Sequence, residues 1–194
     1  MLRHHYSLIP EIIEAYMALP SDISRVDFFK YLILLARGGV YSDSDTKPLC
    51  PIPNRIPEDI NRKSVGLVIG IEHDSNSIGW ETTGARKLQF GTWIIQCKPG
   101  HPVIREIVAR IVDITPQRKR DDELSINYRN DFNVMNWTRA DLWTDIIFLY
   151  FNNYLKSGID RKITQKKFNK LTEPKLLSDV LVFPLFSFNA PEKS

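Results

Sequence analysis

Asp27-Phe28-Phe29-Lys30-Tyr31-Leu32-Ile33-Leu34-Leu35-Ala36-Arg37-Gly38-Gly39-Val40-Tyr41-Ser42-Asp43-Ser44-Asp45-Thr46 decides how the rest of the chain is read. With Ser21 or Asp22 as its cap, a helix over 22–37 carries Val26, Phe29, Ile33 and Ala36 on one side, and Leu32 and Leu35 make it apolar nearly all round. Such a helix is covered on several sides, so exposure is expected only near Ser24, Arg25 and Lys30. Gly38-Gly39 stops it, as glycine just past a helix end does. Val40-Tyr41-Ser42 then reads as a short strand running into Asp43-Ser44-Asp45.

Side chains two apart on extended backbone point the same way, so Asp43 and Asp45 are expected to face one site. Two carboxylates together repel unless a proton or a cation relieves them, and a hard divalent ion with oxygen ligands, Mn²⁺ or Mg²⁺, meets that demand. In open α/β sheets ligands bind beyond the carboxyl ends of strands, where this triplet falls. Taken alone, Asp-x-Asp is also what a polar turn looks like.

Outward from this stretch, Leu8 to Leu19 has helical spacing, and Pro48 to Asp59 is proline-rich loop. Val65 to Glu72 is the near-continuous apolar run of a strand covered on both faces. Phe90 to Cys97 reads as another strand. After the Pro99-Gly100-His101-Pro102 turn a helix runs to about Asp113, with Val103, Ile107, Val108 and Ile111 inward. Residues 115–133 read as polar loop, Asp141 to Leu155 as an aromatic-rich helix closed by Gly158, and Val180 to Phe186 as a final strand broken at Pro184. Alternating helices and strands predict an α/β class with a mostly parallel sheet, in one domain over 1–194.

Composition excludes several classes. At 43% hydrophobic and 25% charged residues the chain is not a disordered one. No apolar run is long enough to span a membrane. The net charge of +3 is too small to argue for a polyanion, and the basic stretch from Lys156 to Lys175 interleaves only Phe168 as an aromatic, so no nucleic-acid partner is expected. Cys50 and Cys97 make neither a metal cage nor a disulfide framework. Gly-x-Gly-x-x-Gly, Walker A and Gly-x-Ser-x-Gly patterns are absent, which removes the common dinucleotide, ATP and serine-hydrolase readings.

The opening stretch resembles the core of the glycosyltransferases that carry a DXD sugar-binding region (glycosyltransferase family 32), and more narrowly the fungal initiation-specific α-1,6-mannosyltransferases. Downstream, Val68 to Glu72, Gln89-Phe90 through Gln96, Lys98-Pro99-Gly100-His101-Pro102, and the pair Trp137-Thr138 with Trp143-Thr144-Asp145 are similar to the family's later motifs in the same order. One departure is internal: the chain has Arg139-Ala140-Asp141 where the family usually has Gly-Pro-Gly. Others lie at the ends, where the family's signal anchor, first strand and histidine-containing tail have no counterpart. A GT-A-like domain incomplete at both ends, impaired in turnover, is therefore expected.

The resemblance implies retaining transfer of mannose from GDP-mannose to an N-glycan, with Mn²⁺ or Mg²⁺, in the Golgi lumen, alongside other mannosyltransferase subunits. It implies Asp45 as metal ligand and Asp43 at the ribose or the metal. It assigns Asp27, Arg37, Gly39, Tyr41, Trp137 and Thr138 to the donor site, with Glu72 and Asp145 orienting sugar hydroxyls. Each has an ordinary structural alternative. Asp27 can be a helix charge paired with Arg25 or Lys30, Arg37 a cation on the helix dipole, Tyr41 strand packing, and the tryptophans core. Two other functions remain open: a DXD transferase using another sugar nucleotide, and a non-catalytic subunit of a mannan-building complex.

Overall fold

A computed structural model describes residues 2–49, 51–75, 86–121, 137–154 and 162–188. Cys50, Gly158 and most of the expected 115–133 loop lie outside them.

The helices are α1 (Leu2–His5), α2 (Pro10–Ala18), α3 (Asp22–Arg37), α4 (Pro102–Arg120) and α5 (Ala140–Leu149). The strands are β1 (Gly39–Ser42), β2 (Leu67–Asp74), β3 (Leu88–Phe90), β4 (Ile94–Cys97), β5 (Lys175–Leu177) and β6 (Val180–Phe183). Their order is β1-β4-β2-β6-β5, with β3 beside β2. The mixed α/β class holds, but the mostly parallel sheet does not: β2 and β6 are parallel, and β1·β4, β2·β4, β2·β3 and β5·β6 are antiparallel. Parallel pairing of neighbours requires long crossovers, and β5 and β6 are joined by a two-residue hairpin that only antiparallel strands allow.

The expected strand from Phe90 to Cys97 is two strands laid end to end along β2. Gly91 interrupts them because the Trp93 ring lies where its side chain would project. The Val180–Phe186 strand ends at Phe183, since Pro184 starts a 3-10 turn over Leu185–Ser187. β5 was not expected, having sat within the basic stretch.

β2 is covered on both faces, as its apolar run predicts. Leu67, Ile69 and Ile71 join the helices in the main core, while Val68 meets Ile56, Val65, Leu181 and Phe183 in a smaller one. Helices flank one face; among the described residues the other is covered by the 51–65 loop and Phe188. A cavity of about 320 Å³ opens there, between Val40, Ile56, Arg62 and Gln96.

α3 begins at Ser21, whose side chain accepts from the Ser24 amide at 3.1 Å. Its buried set differs from the expectation. Ser24 and Lys30 are buried, whereas Ile23 and Val26 are 57% and 52% exposed. The helix leans on α4 and β1 through Phe28, Tyr31, Leu32 and Leu34. Gly38 closes it at φ +64°, where a Cβ would stand 2.6 Å from the Pro99 nitrogen. Gly38→Ala should therefore cost about 2–5 kcal/mol, summing positive-φ strain and overpacking. Chemical denaturation reads this out, and a loss under about 1 kcal/mol would contradict the cap geometry.

α4 continues past Asp113 to Arg120 despite Pro116. Pro116 gives up one helical bond, but Thr115 donates to the Ile111 carbonyl at 2.7 Å and accepts from the Trp137 indole at 3.1 Å. Arg118, Lys119 and Arg120 then complement the helix C-terminus. α5 gives way to a π-helical turn over Tyr150–Tyr154 instead of running regularly to Leu155.

Candidate functional site

The β1–β4 ladder runs one bond beyond the strands: Asp43 N–H donates to the Trp93 carbonyl at 2.8 Å. The chain then turns sharply. The Asp43 carbonyl accepts from the Thr46 amide at 3.1 Å and from the Thr46 hydroxyl at 2.6 Å, and Ser42 and Thr46 share a further bond. The triplet is thus a tight turn, which corrects the extended geometry on which parallel carboxylates were argued. Asp43 is half-buried and oriented by the Tyr41 hydroxyl, which donates to it at 2.7 Å. Asp45 is exposed at the turn and pairs with no described residue. Burial first, then the bond to Asp43, drives the Tyr41 hydroxyl pKa far upward, so it remains a proton donor.

Behind the turn lies a buried charge cluster. Asp27 accepts from Lys30 at 2.6 Å and from Arg139, the residue before α5, at 3.2 Å, with the Thr138 hydroxyl at 3.5 Å. Lys30, 1% exposed, lies 5.5 Å from the Tyr31 ring and 5.8 Å from the Tyr41 ring. One carboxylate thus joins α3, the Trp-Thr turn and, through Lys30, the aromatic that holds Asp43. Glu72, near the end of β2, accepts from Gln89 at 2.9 Å and feels the charges of Arg139, Asp141 and Lys30. Burial raises its carboxyl above the ordinary range.

A raised carboxyl makes the folded state bind more protons than the unfolded one, so its contribution to stability is lost as pH rises from the unfolded pKa, about 4.3, through the folded value. The stability of Glu72→Gln relative to the native chain should accordingly improve across that window. Paired melts at stepped pH test this; a difference flat in pH would contradict it.

The structure therefore brings Asp27, Tyr41, Asp43, Glu72 and Thr138 together, with Lys30 and Arg139 between them. Asp45 stays on the turn beside Asp43, and Arg37, Gly39, Trp137 and Asp145 lie apart. Arg37 is exposed at the far end of α3 and donates to His5 at 3.1 Å. Gly39 lines the cavity on the loop face. Trp137 is buried against Thr115 and under Arg118. Asp145 forms a two-bond ion pair with Arg86, at 3.0 and 2.7 Å. Lys30, Gln89, Arg139 and Asp141 were not singled out as site residues. The i,i+3 spacing of Asp27 and Lys30 carried a signal for the first; nothing local marks a contact spanning 112 residues.

Among the described residues no three His, Cys, Asp or Glu side chains form a metal-holding group. The donor set at Asp43 and Asp45 still suits Mg²⁺ or Mn²⁺, which commonly take one or two carboxylates and complete their shell with water and substrate phosphates.

Comparison with known proteins identifies what the chain is similar to. Residues 2–63 match the glycosyltransferase sugar-binding region containing the DXD motif. The chain is 58% identical over its whole length to HOC1 of Saccharomyces cerevisiae, whose name places it among the glycosyltransferases, covering 49% of that protein. It is 40% identical to the initiation-specific α-1,6-mannosyltransferase of Candida albicans, over 97% of this chain and 53% of that one. With the Schizosaccharomyces pombe protein of the same name the identity is 39%, over 94% of this chain and 44% of the relative. The chain spans about half the length of the curated relatives it matches. No helix among the described residues is long and apolar enough to cross a membrane.

Proposed function

Given a chain that resembles the DXD-region glycosyltransferases across its motifs, we propose that it is a GT-A-like mannosyltransferase domain that takes GDP-mannose as donor and extends an N-glycan mannose through an α-1,6 bond. The observation that carries this is the Asp43–Asp45 turn held by Tyr41 and Trp93 in front of the Asp27–Lys30–Arg139 cluster. In the transfer, the bond from the anomeric carbon to diphosphate breaks, the acceptor oxygen takes its place on the same face, and the acceptor proton leaves with the diphosphate. Asp43 and Asp45 would hold a divalent cation, which would supply Lewis-acid stabilisation of the departing diphosphate. Tyr41 fixes the rotamer of Asp43, and Lys30 and Arg139 fix that of Asp27 behind it. The names of the mannosyltransferase relatives support mannose as the sugar.

Calorimetric titration of the chain with GDP-mannose and with UDP-sugars, each with and without Mn²⁺, tests the reading. Mn²⁺-dependent binding of GDP-mannose alone is the expected result. Preference for a UDP-sugar would transfer the site to another donor, and failure of every sugar nucleotide to bind would favour a non-catalytic subunit.

A further inference from the structure

Directly behind the charge cluster, several polar groups are buried without partners among the described residues. Asp141, in the first turn of α5, is 1% exposed, and neither of its carboxylate oxygens accepts a hydrogen bond. The Trp143 indole N–H, the Tyr31 hydroxyl and the side-chain oxygen of Gln89 are likewise unpartnered. Buried polar groups are rarely left so, and each demands a reason.

These groups belong to one region. The Tyr31 and Trp143 rings stack at 5.6 Å. The Phe90 amide donates to Thr144 at 3.0 Å, tying β3 to α5 and setting Gln89 beside Asp141's helix. Gln89 in turn donates to Glu72, which feels the charge of Asp141. The Arg86–Asp145 ion pair, one helical turn further along α5, sits at the surface over this region and acts on Asp141 electrostatically.

Two donors and three acceptor oxygens, backed by stacked aromatic rings, are the complement of a ring bearing neighbouring hydroxyls, since each hydroxyl both donates and accepts. We propose that Asp141, with Glu72 and Gln89 beside it, is the sugar-reading residue of this site, its carboxyl taking two adjacent hydroxyls of a hexose. The proposal rests on the glycosyl-transfer reading above and deepens it. Burial raises the Asp141 carboxyl, which leaves it closer to the protonated form that can also donate to a hydroxyl oxygen.

The alternative is structural: an acidic residue in a first helical turn stabilises the helix dipole. The two roles differ in what replacement does. An unpartnered buried carboxylate costs stability, so a ligand-binding Asp141 gives a variant at least as stable as the native chain.

The full chain, Asp141→Asn and Asp141→Leu would be titrated by calorimetry with GDP, GDP-mannose and methyl α-mannoside, all with Mn²⁺, and melted in parallel. We expect GDP affinity within about twofold of native, hexose-dependent affinity lowered at least tenfold in Asp141→Leu, and melting temperatures at or above native. Loss on GDP-mannose assigns the subsite to the donor hexose; loss confined to the free mannoside assigns it to the acceptor. Equal loss for GDP and GDP-mannose, unchanged sugar binding, or lower melting temperatures in both variants would overturn the proposal while leaving the glycosyl-transfer reading standing. A native chain that binds none of the three overturns that reading, and this one with it.

Discussion

Asp27→Ala should destabilise the fold by about 3–5 kcal/mol, the range measured when one partner of a buried ion pair is removed. Lys30 is 1% exposed and its ammonium meets Asp27 at 2.6 Å, so the substitution strands a cation between Tyr31 and Tyr41. Arg139, the second cation on the same carboxylate, is partly exposed and can turn to water at little cost. Lys30 cannot. Against a total stability of about 5–15 kcal/mol for a typical domain, the loss is decisive. Replacing both members, Asp27→Leu with Lys30→Met, should recover most of it, because no buried charge is left unpaired. Urea midpoints for the two variants decide the matter; a single variant within about 1 kcal/mol of native would mean that water reaches Lys30.

Asp45→Ala should leave the melting temperature unchanged and abolish the divalent-ion dependence of donor binding. Asp45 is exposed on its turn and pairs with no described residue, so the fold does not use it. Lewis-acid stabilisation is worth several kcal/mol at the transition state, so turnover should fall by about three orders of magnitude or more. Asp43→Ala should look different. It removes the acceptor of the Tyr41 hydroxyl, so stability and donor binding should fall together. Titration of Mn²⁺ by calorimetry, with and without GDP-mannose, separates the two. Undiminished Mn²⁺ dependence in Asp45→Ala would remove it from the metal site.

Much of this was legible in the sequence because it is local. Ser21 caps α3, Gly38 ends it, and β1 delivers Asp43, all within about 25 residues. The covering of β2 on both faces followed from its unbroken apolar run. Pairing direction was not legible, since no local pattern says which strands meet. The break at Gly91 came from a tertiary contact with Trp93. The helix was expected to end near Asp113 where the chain turns polar, but the Thr115–Trp137 bond and Arg118 hold it together beyond Pro116. At the site, Asp27 could be named but its setting could not. Either a surface charge or a site residue fitted the residue, and only the approach of Arg139 across 112 positions shows it to be a buried junction. Asp141 stood out in the sequence only as part of the departure from Gly-Pro-Gly, and its burial without a partner exists only in three dimensions.

The parallel pairing of β2 with β6, Leu67 opposite Val180, has a consequence for how the protein is made. At roughly 5–20 residues per second, a ribosome needs on the order of 5–20 s to pass from one of these strands to the other. Throughout that interval the apolar half of β2 has an open edge, and Val68 lacks the Leu181 and Phe183 that later cover it. Nascent chains of this protein are thus exposed to premature strand pairing with one another, and chaperone demand should peak after β2 emerges and fall once β6 has been synthesised.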